Sequence, residues 1–280
     1  MKNRVWFVTG ASRGLGLSLV KKLLQAGFPV AATSRNIAEL GKAVSADKKT
    51  FLPLTVNVSD ENSVAQAIQH TVDHFGSIDV IVNNAGYGLA GALEELTDAE
   101  SKQNFDINVF GTLNVIRKAM PFLRQQQSGH IFNIASIGGF TGNFPGFGIY
   151  CATKFAVHGF SESLAAEVKP FGIHVTVVSP GYFRTSFLDS VSLNTPATEI
   201  AAYQNVREVQ SAHQHNINGR QPGDPDKAAD VLIEVTHQQQ PPLHLFLGQD
   251  AYNLAEVKIQ AVKQDMAQVQ HLATATAFAE

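Results

Sequence analysis

The sequence predicts an α/β protein built on a doubly wound parallel sheet. Short apolar runs with the length of buried strands alternate along the chain with longer segments of helical apolar spacing. The first run leads directly into a glycine-rich turn and a helix, which is how a strand–helix–strand unit begins. With 280 residues, of which 44% are hydrophobic, the chain can bury a large core, and its length fits one large α/β domain or two small ones; we expect a single domain over 1–280.

The first predicted strand is the run at 4–9, and the turn after it carries three glycines. Gly10 permits a tight turn, and Gly14 lets the backbone approach a pyrophosphate. Gly16 lets the following helix, 17–25, pack closely on the strand. The amides and the dipole at the start of that helix attract an anion. Because a strand precedes the glycines and a helix follows them, the turn predicts a dinucleotide-binding loop.

The end of the second predicted strand, 28–33, bears on the choice of cofactor. It leads into Ser34, Arg35 and Asn36, where an NAD-selective site usually has an acidic residue for the ribose 2′-hydroxyl. A guanidinium there suits a 2′-phosphate instead, and Arg13 in the glycine turn could hold that phosphate from the other side. The alternative is that either arginine is an ordinary surface charge. Together the two arginines favour NADP(H).

The remaining elements complete a seven-stranded sheet. Five more apolar runs predict strands at 51–56, 79–82, 130–135, 173–178 and 243–247. Helical patterns lie over 57–75, 97–121, 150–168, 224–235 and 250–270. Thr97 and Glu100 form a capping box, and Asp224 with Pro225 begins a later helix. The last helix is followed by an Ala/Thr tail.

One segment, at about 186–223, mixes helical patches with polar turns and is long for a connection in a compact α/β fold. We interpret it as a substrate lid or as a small inserted helical pair. His213 and His215 lie two apart within it and would diverge on a helix, so we do not expect them to bind a metal. No other group of His, Cys, Asp or Glu has the sequence spacing of a metal site.

Tyr150 and Lys154 are the leading candidates for catalysis. Four residues apart on a predicted helix, they point the same way. A tyrosine ordinarily titrates at about 10. A nearby positive charge favours the phenolate, which makes the group useful for proton transfer near neutral pH. Ser136, at the carboxyl end of the fifth predicted strand, could hydrogen-bond the same substrate oxygen. Since this spacing also arises by chance on helices, the assignment depends on the rest of the chain.

Composition excludes several classes of function. Lys and Arg number 21 against 24 Asp and Glu, with no basic stripe, so no nucleic-acid partner is expected. The single cysteine, Cys151, excludes an intramolecular disulfide, and we interpret it as a packing residue and not as a redox centre. No apolar run is long enough to span a membrane, and no signal-peptide pattern opens the sequence. We expect a soluble, cytoplasmic protein.

Together these motifs resemble the short-chain dehydrogenase/reductase family. The matching residues, in the family's order and approximate spacing, are Thr9-Gly10-x-x-x-Gly14-x-Gly16, Asn83-Asn84-Ala85-Gly86, Asn108, Ser136, Tyr150-x-x-x-Lys154 and Pro180-Gly181. The resemblance covers essentially the whole chain. The stretches 218–225 and 242–248 are similar to the branch with 17β-hydroxysteroid-dehydrogenase-like and retinol-dehydrogenase-like members. The resemblance implies a Rossmann-type, seven-stranded parallel sheet with helices on both faces.

The resemblance also implies roles for individual residues. Tyr150 is the expected general acid/base, and Lys154 is expected to lower its pKa and to hold the nicotinamide ribose. Ser136 would orient the substrate carbonyl, and Asn108 would anchor a water in a proton relay. The implied cofactor-binding residues are Gly10, Ser12, Arg13, Gly14, Leu15, Gly16, Arg35, Asn57, Val58, Asn84, Ala85, Gly86, Tyr150, Lys154, Pro180, Gly181 and Thr185. The family often has Asp where this chain has Asn57, so its adenine contact departs from the pattern.

These inferences predict an NADPH-dependent oxidoreductase that reduces a ketone or aldehyde by hydride transfer and can oxidise a secondary alcohol in reverse. Two alternatives are a non-catalytic dinucleotide-binding sensor or scaffold, which would commonly lack Tyr or Lys, and an epimerase or dehydratase, for which the chain is short.

The substrate is a small molecule that the sequence does not name. Apolar residues flank Tyr150 in the predicted fold and suggest a cleft for a bulky carbonyl compound, unless they only pack the loops: Phe140, Phe144, Phe147, Phe183, Phe187 and Leu188. Arg184 is the one residue of these loops that could mark an anionic substrate. The helices at 97–120 and 150–168 resemble the family's usual interface, so a homodimer or homotetramer is expected.

Overall fold

The computed structural model describes residues 4–44, 46–47, 49–189 and 192–278. Within them the main sheet has seven parallel strands, in the order β3 (Phe51–Thr55), β2 (Val30–Ser34), β1 (Trp6–Val8), β4 (Val80–Asn83), β6 (Gly129–Ile134), β7 (Ile173–Pro180) and β9 (His244–Leu247). The order reverses between β1 and β4, which opens a crevice at the carboxyl ends of these strands. The predicted seven-stranded, doubly wound parallel sheet is confirmed.

The helices of the described residues are α1 (Gly14–Gln25), α2 (Ile37–Ala43), α3 (Glu61–Phe75), α4 (Asp98–Phe105), α5 (Gly111–Gln126), α6 (Gly148–Val168), α7 (Gln204–Ser211), α8 (Pro225–Val235) and α9 (Gln249–Ala273). The capping box of Thr97 and Glu100 forms at α4 as predicted. Asp224 caps α8, with Pro225 in the first turn. Helix α2 was not predicted from the sequence. Asn36 caps it, because the Asn36 side chain accepts hydrogen bonds from two amides in the first turn of α2.

Alternate residues of β1 face two different cores. Trp6 and Val8 pack with α1 and α8 on one face of the sheet, whereas Phe7 packs with α3, α5 and α6 on the other. All three side chains are fully buried. A strand buried on both faces has no polar side to show, which explains why β1 is a continuous apolar run in the sequence.

The helix predicted over 97–121 is three segments. After α4 comes a turn of π-helix, Asp106–Phe110, and α5 then continues to Gln126, so the prediction that the helix ends near Pro121 was wrong. An internal proline costs about 3 kcal/mol. Leu123, two residues further on, is fully buried, and that burial offsets most of the cost.

The predicted lid, about 186–223, contains a 3₁₀ turn (Ser186–Leu188), a short strand β8 (Leu193–Asn194), α7 and a π-helical turn (Ala212–Ile217). Residues 190 and 191 of this prediction lie outside the described residues. Strand β8 pairs in parallel with β5 (Gly88–Leu89), away from the main sheet. Among its described residues the segment therefore holds a short 3₁₀ turn and one longer helical stretch, 204–217, and not a pair of α-helices.

Glu95 links the segment 186–223 to the rest of the protein. This fully buried carboxylate accepts 2.7 Å hydrogen bonds from the amides of Ile200 and Ala92 and forms an ion pair with Arg207. Burial alone would raise the pKa of Glu95, but the two amides and the guanidinium outweigh it and hold the pKa below the usual value. At neutral pH the carboxylate is therefore charged and can form both hydrogen bonds and the ion pair.

Candidate active site

A cleft of about 750 Å³ opens at the carboxyl edge of the sheet, where the strand order reverses. The glycine turn after β1 lines one end, and the ends of β2, β4, β6 and β7 contribute to its walls. Open α/β sheets bind their ligands at this position. Its volume is that of a site for a small molecule or cofactor.

The glycine turn has the shape that the sequence predicts. Gly10 and Gly14 have φ angles of 64° and 56°, in the left-handed region that favours glycine. A Cβ atom at Gly10 would lie 2.8 Å from the Cα of Ala85, so a side chain is excluded there on steric grounds as well. At Gly16 a Cβ would lie 2.7 Å from the Gly10 carbonyl oxygen. Gly16 does not line the cleft but packs α1 against the turn, as proposed from the sequence.

The helix after this turn, α1, has no side-chain cap at its start. Arg13 occupies the N-cap position with an extended backbone, and its side chain makes no capping hydrogen bond. Gly14 and Leu15, the first two residues of α1, line the cleft. The first amides of an α-helix have no partner within the helix. Because unsatisfied amides and the helix dipole both attract an anion, the turn fits a pyrophosphate.

Asn84 has a structural role that sequence reasoning missed. Its side-chain amide donates to the carbonyl oxygens of Thr9, at 2.9 Å, and of Gly10, at 3.0 Å. The hydroxyl of Thr9 in turn accepts from the amides of Asn84 and Ala85, both at 3.0 Å. These bonds fix the glycine turn to the end of β4, while Asn84, Ala85 and Gly86 line the cleft.

The end of the cleft beside β2 is lined by both predicted arginines and by one residue that was not predicted. Arg13 comes from the glycine turn, and Arg35 follows β2. Arg13 and Arg35 line the same end of the cleft. Glu39, brought there by α2, also lines it, and its carboxylate lies 3.8 Å from the Arg13 guanidinium. The sequence showed no acidic residue at the strand end, but the fold supplies one from a helix.

Asn57 and Val58 line the cleft beyond the end of β3, as expected for the adenine end. The Asn57 side-chain oxygen accepts a 3.2 Å hydrogen bond from the amide of Ser59, which shapes the turn into α3. Of the remaining residues predicted to bind cofactor, Ser12, Pro180, Gly181 and Thr185 also line the cleft.

Ser136, Tyr150 and Lys154 come together at the middle of the cleft. Ser136 follows β6, and a Cβ at Gly138 would lie 3.4 Å from its hydroxyl oxygen and 3.8 Å from a ring carbon of Tyr150, so the two side chains meet beside this glycine. The Lys154 ammonium donates a 2.9 Å bond to the carbonyl of Ile134 and lies 5.8 Å from the centre of the Tyr150 ring. A Cβ at Gly139 would lie 2.6 Å from the Lys154 carbonyl oxygen, so this glycine lets the loop after β6 approach α6.

The pKa values of this pair differ from the sequence expectation. Burial raises the pKa of Tyr150 above its usual value, and the nearby Ser136 side chain only partly opposes this rise. Burial also lowers the pKa of Lys154 to about 8. The direction of the Tyr150 shift is therefore opposite to the one expected from the spacing of Tyr150 and Lys154, because burial is its largest cause. Tyr150 is a protonated phenol at neutral pH, suited to donate a proton.

Asn108 lies behind the cleft in the π-helical turn. Its amide nitrogen donates to the carbonyl of Tyr87 at 3.0 Å and to the hydroxyl of Thr153 at 3.1 Å, and its oxygen accepts from the Tyr87 amide at 3.0 Å. A Cβ at Gly86 would lie 3.0 Å from the Asn108 oxygen and 3.6 Å from the Lys154 nitrogen. Asn108 is thus fixed beside Lys154 without lining the cleft.

The substrate side of the cleft is largely apolar. Five of the six residues predicted for it line the wall: Phe144, Phe147, Phe183, Phe187 and Leu188. Phe140 does not, because its ring packs edge-on against Phe246 at 5.1 Å in a small core beneath α9. Arg184 does not either, since its guanidinium donates to the Gln221 carbonyl.

Three polar residues of the cleft were not predicted from the sequence. The Tyr182 hydroxyl lies 2.9 Å from Nε2 of His213, whose Nδ1 lies 2.7 Å from the Val209 carbonyl oxygen. Nδ1 therefore carries the proton, and Nε2 accepts from Tyr182. The side-chain oxygen of Gln221 is buried without a hydrogen-bond partner. Tyr182, His213 and Gln221 form a polar group in the cleft. The sequence could not show this group, because its members are far apart along the chain.

Other sequence predictions concern residues near the site. Cys151 is buried, and burial raises its thiol pKa to about 11, in line with a packing role. The fold brings ligand atoms of His158, Glu162 and His244 within 4.8 Å of one another, a grouping that sequence spacing did not reveal. The predicted absence of a metal stays a prediction. Among the described residues every helix is too short or too polar to cross a bilayer, and the cytoplasmic location also stays a prediction.

The fold and the cleft define a Rossmann-type, nucleotide-binding oxidoreductase. The chain belongs to the short chain dehydrogenase family, whose model matches residues 4–195. This confirms the resemblance inferred from the motifs.

Characterised and uncharacterised relatives extend over most of the chain. It is 38% identical over 253 residues to the oxidoreductase BOA17 of Botryotinia fuckeliana, covering 90% of this chain and 91% of that one. It is 36% identical to the 3-ketodihydrosphingosine reductase of Bacteroides thetaiotaomicron, covering 89% of each chain. Human 17-beta-hydroxysteroid dehydrogenase type 1 is 32% identical, over 88% of this chain and 78% of the human one.

Solved structures share the fold. A short-chain dehydrogenase from Streptomyces avermitilis has a TM-score of 0.91 and 34% identity, covering 99% of this chain and 100% of that one. Two more distant structures show likeness of fold alone. One from Burkholderia phymatum in complex with NAD has a TM-score of 0.79 and 20% identity, with 94% and 95% coverage. One from Burkholderia cenocepacia in complex with NADP has a TM-score of 0.72 and 24% identity, with 95% and 97% coverage.

Proposed function

We propose that the protein is an NADPH-dependent reductase of a bulky, apolar ketone or aldehyde, with Tyr150 as the general acid. The observation that carries the proposal is the convergence of Ser136, Tyr150 and Lys154 in the same cleft as the glycine turn, with the Lys154 ammonium 5.8 Å from the centre of the Tyr150 ring. In the reverse direction the same residues would serve the oxidation of a secondary alcohol.

The residues of the cleft fit a nicotinamide dinucleotide. The turn at Gly10 and Gly14 leaves room for a pyrophosphate where any side chain would be obstructed or strained, and the amides at the start of α1 would bind it. Arg35 and Arg13 would hold a 2′-phosphate. When bound, NADPH would supply the hydride.

The chain's own residues would supply the proton and stabilise the developing charge. Tyr150, protonated at neutral pH, would donate its proton to the substrate oxygen as that oxygen becomes an alkoxide. Ser136 would hydrogen-bond the same oxygen, and the charge of Lys154 would stabilise the tyrosinate that remains. Asn108, fixed beside Lys154, would order a water through which the proton is replaced.

The walls of the cleft support a lipophilic substrate. Three aromatic rings, those of Phe144, Phe147 and Phe187, pack with Leu188 around Tyr150. Phe183 and the polar group of Tyr182, His213 and Gln221 also line the cleft. A molecule with an extended apolar body and a second polar group matches this lining. The names of two relatives point in the same direction, since one reduces a ketodihydrosphingosine and the other is a hydroxysteroid dehydrogenase.

The test is NADPH oxidation measured over ketosteroids, long-chain 3-oxo compounds, retinal-like aldehydes and small diketones. We expect turnover of at least one lipophilic carbonyl compound and little activity on the small diketones. Tyr150→Phe should abolish turnover while NADPH still binds, as measured by fluorescence titration. Retention of a tenth of the rate by this variant would overturn the role of Tyr150. NADPH binding with no turnover of any carbonyl would favour a sensor or scaffold.

We also propose a homo-oligomer formed through α4, α5 and α6. Phe110 and Phe155, on the π turn and on α6, are 51% and 42% exposed. Exposed aromatic rings on neighbouring helices are suited to bury against a second subunit.

A further inference from the structure

The C-terminal helix α9 extends beyond the body of the protein. Its buried residues, Ala251 and Ala255, pack near Ile137 in the small core beneath the helix. Every residue from 260 to 273 is exposed. At about 1.5 Å per residue, this projecting part is about 21 Å long. An isolated helix of such length is only marginally stable in water, so it requires a partner to be well formed.

The projecting part carries a narrow apolar stripe. Beginning at Ala255, apolar residues follow at intervals of four, three, four, three and four: Ile259, Val262, Met266, Val269 and Ala273. At about 100° per residue, all of them lie within about 40° of the direction of Ala255. The face that packs on the protein's own core therefore continues past the body, where Val262, Met266 and Val269 are 39%, 66% and 45% exposed.

The spacing identifies the kind of partner. An alternation of three and four residues is the heptad pattern of a coiled-coil seam, which packs against another helix. The charges beside the seam are mixed, since Glu256 and Lys263 flank one side and Lys258 and Asp265 the other. A helix that lies on a membrane surface instead carries mainly Lys and Arg on its polar face. The whole chain, with a net charge of −3, has no general attraction to an anionic bilayer either.

We propose that residues 259–273 form a self-association helix, which pairs with the same helix of a second copy of this chain. A parallel pair would bring Lys258 of one helix against Lys263 of the other, whereas an antiparallel pair centred between Met266 and Val269 avoids that contact. In the antiparallel pair Met266 packs on Val269 of the partner subunit, and the two bodies lie at opposite ends. This contact is separate from the one proposed on α4, α5 and α6, so in a closed arrangement it doubles the number of subunits that the other contact joins.

The test is the molecular mass of the full-length protein, measured by sedimentation over a dilution series, because so small a contact should dissociate on dilution. The double variant Met266→Glu, Val269→Glu should have half the mass of the wild type at concentrations where the wild type is assembled. Val257→Glu is the matched control, since Val257 is 67% exposed but lies on the opposite face of the helix. It should keep the wild-type mass. NADPH binding should be unchanged in all variants, which shows that the body is folded.

Equal masses of the wild type and the double variant at every concentration would overturn the proposal, as would dissociation of the Val257→Glu control. Cosedimentation with phosphatidylcholine–phosphatidylglycerol vesicles tests whether the apolar stripe binds a lipid membrane instead. Vesicle binding by the wild type that the double variant loses, without any difference in mass, would assign the stripe to lipid and overturn self-association. Lys263→Glu tests the orientation: tighter association would indicate a parallel pair, and unchanged association the antiparallel one.

Discussion

The carboxylate of Glu39 lies 3.8 Å from the guanidinium of Arg13, at the end of the cleft where β2 finishes. Both side chains are partly exposed, so the ion pair is weak in water. Its position matters more than its strength. Arg13 is one of the two cations proposed to hold a 2′-phosphate, and Glu39 competes with that phosphate for it. If Arg13 holds a 2′-phosphate as proposed, the balance between these groups would set the preference between NADPH and NADH.

Removal of the competing charge should favour NADPH. In Glu39→Gln we expect the ratio of NADH to NADPH dissociation constants to rise several-fold, since the amide neither repels the phosphate nor holds Arg13. The ratio can be measured by fluorescence titration. Glu234→Gln, an exposed change on α8, is the control. A fall in the ratio would mean that Glu39 assists NADPH binding.

Removal of the second cation should have the opposite effect. Arg35 lines the same end of the cleft, so Arg35→Ala should weaken NADPH binding by tenfold or more and NADH binding hardly at all. The same titration measures both values. An equal loss for the two cofactors would argue against 2′-phosphate recognition by Arg35.

Local patterns explain why so much of the fold could be predicted from the sequence. Buried strands give continuous apolar runs, and the glycine turn and the caps at Thr97 and Asp224 depend on residues a few positions apart. The π-helical turn around Asn108 left no such signal. In this turn Asn108 donates hydrogen bonds to Tyr87 and Thr153, which are distant in sequence, so no local pattern could show it.

Within the site, the unpredicted features arise from tertiary packing. Glu39 enters the cleft on a helix that the sequence analysis missed, and Tyr182 meets His213 across 31 positions. The direction of the Tyr150 pKa shift was wrong because spacing shows a neighbouring charge but not the degree of burial. Sequence motifs identified candidate residues that lie together in the cleft, but not the surroundings that set their pKa values.

The pH dependence of carbonyl reduction should follow Lys154. Burial lowers its pKa to about 8, while the pKa of Tyr150 is raised, so below pH 8 the lysine is charged and the phenol protonated. We expect kcat for reduction to be flat from about pH 6 to 7.5 and to fall as Lys154 loses its charge above pH 8. The measurement is a kcat profile at saturating NADPH. A rate that rises from pH 8 to 9 would instead indicate that the phenolate is the active form.

The attachment of the segment 186–223 to the rest of the protein should depend on the charge of Glu95. Glu95→Gln removes the charge that two buried amides and Arg207 share, so we expect a loss of about 2–3 kcal/mol in the free energy of unfolding. The segment 186–223 carries His213 and Gln221, which line the cleft. KM for the carbonyl substrate should therefore rise more than KM for NADPH. Denaturant unfolding and steady-state kinetics measure the two effects. Glu208→Gln, a change at an exposed carboxylate on α7, should change stability by less than about 0.5 kcal/mol, and a comparable loss there would contradict a specific role for Glu95.

Acid should destabilise the protein through a buried histidine. His130 is almost fully buried, its Nε2 lies 2.9 Å from the Thr176 hydroxyl, and its ring stacks 4.0 Å from Phe132. Burial, with the charges of His174 and Arg4, lowers its pKa to about 3. An unfolded histidine titrates at about 6.5. Between these values the unfolded state binds the proton and the folded state does not, so stability is present above pH 6.5 and is lost as the pH falls.

The loss can be at most about 1.4 kcal/mol per pH unit for each such histidine. His130→Gln keeps a donor for Thr176 but cannot be protonated, so its free energy of unfolding should fall less steeply between pH 6.5 and 5. That window lies above the range in which the carboxylates titrate. Urea unfolding at several pH values gives both slopes, with the exposed His237→Gln as the control. Parallel curves for the wild type and His130→Gln would show that His130 is protonated in the folded protein as readily as in the unfolded one.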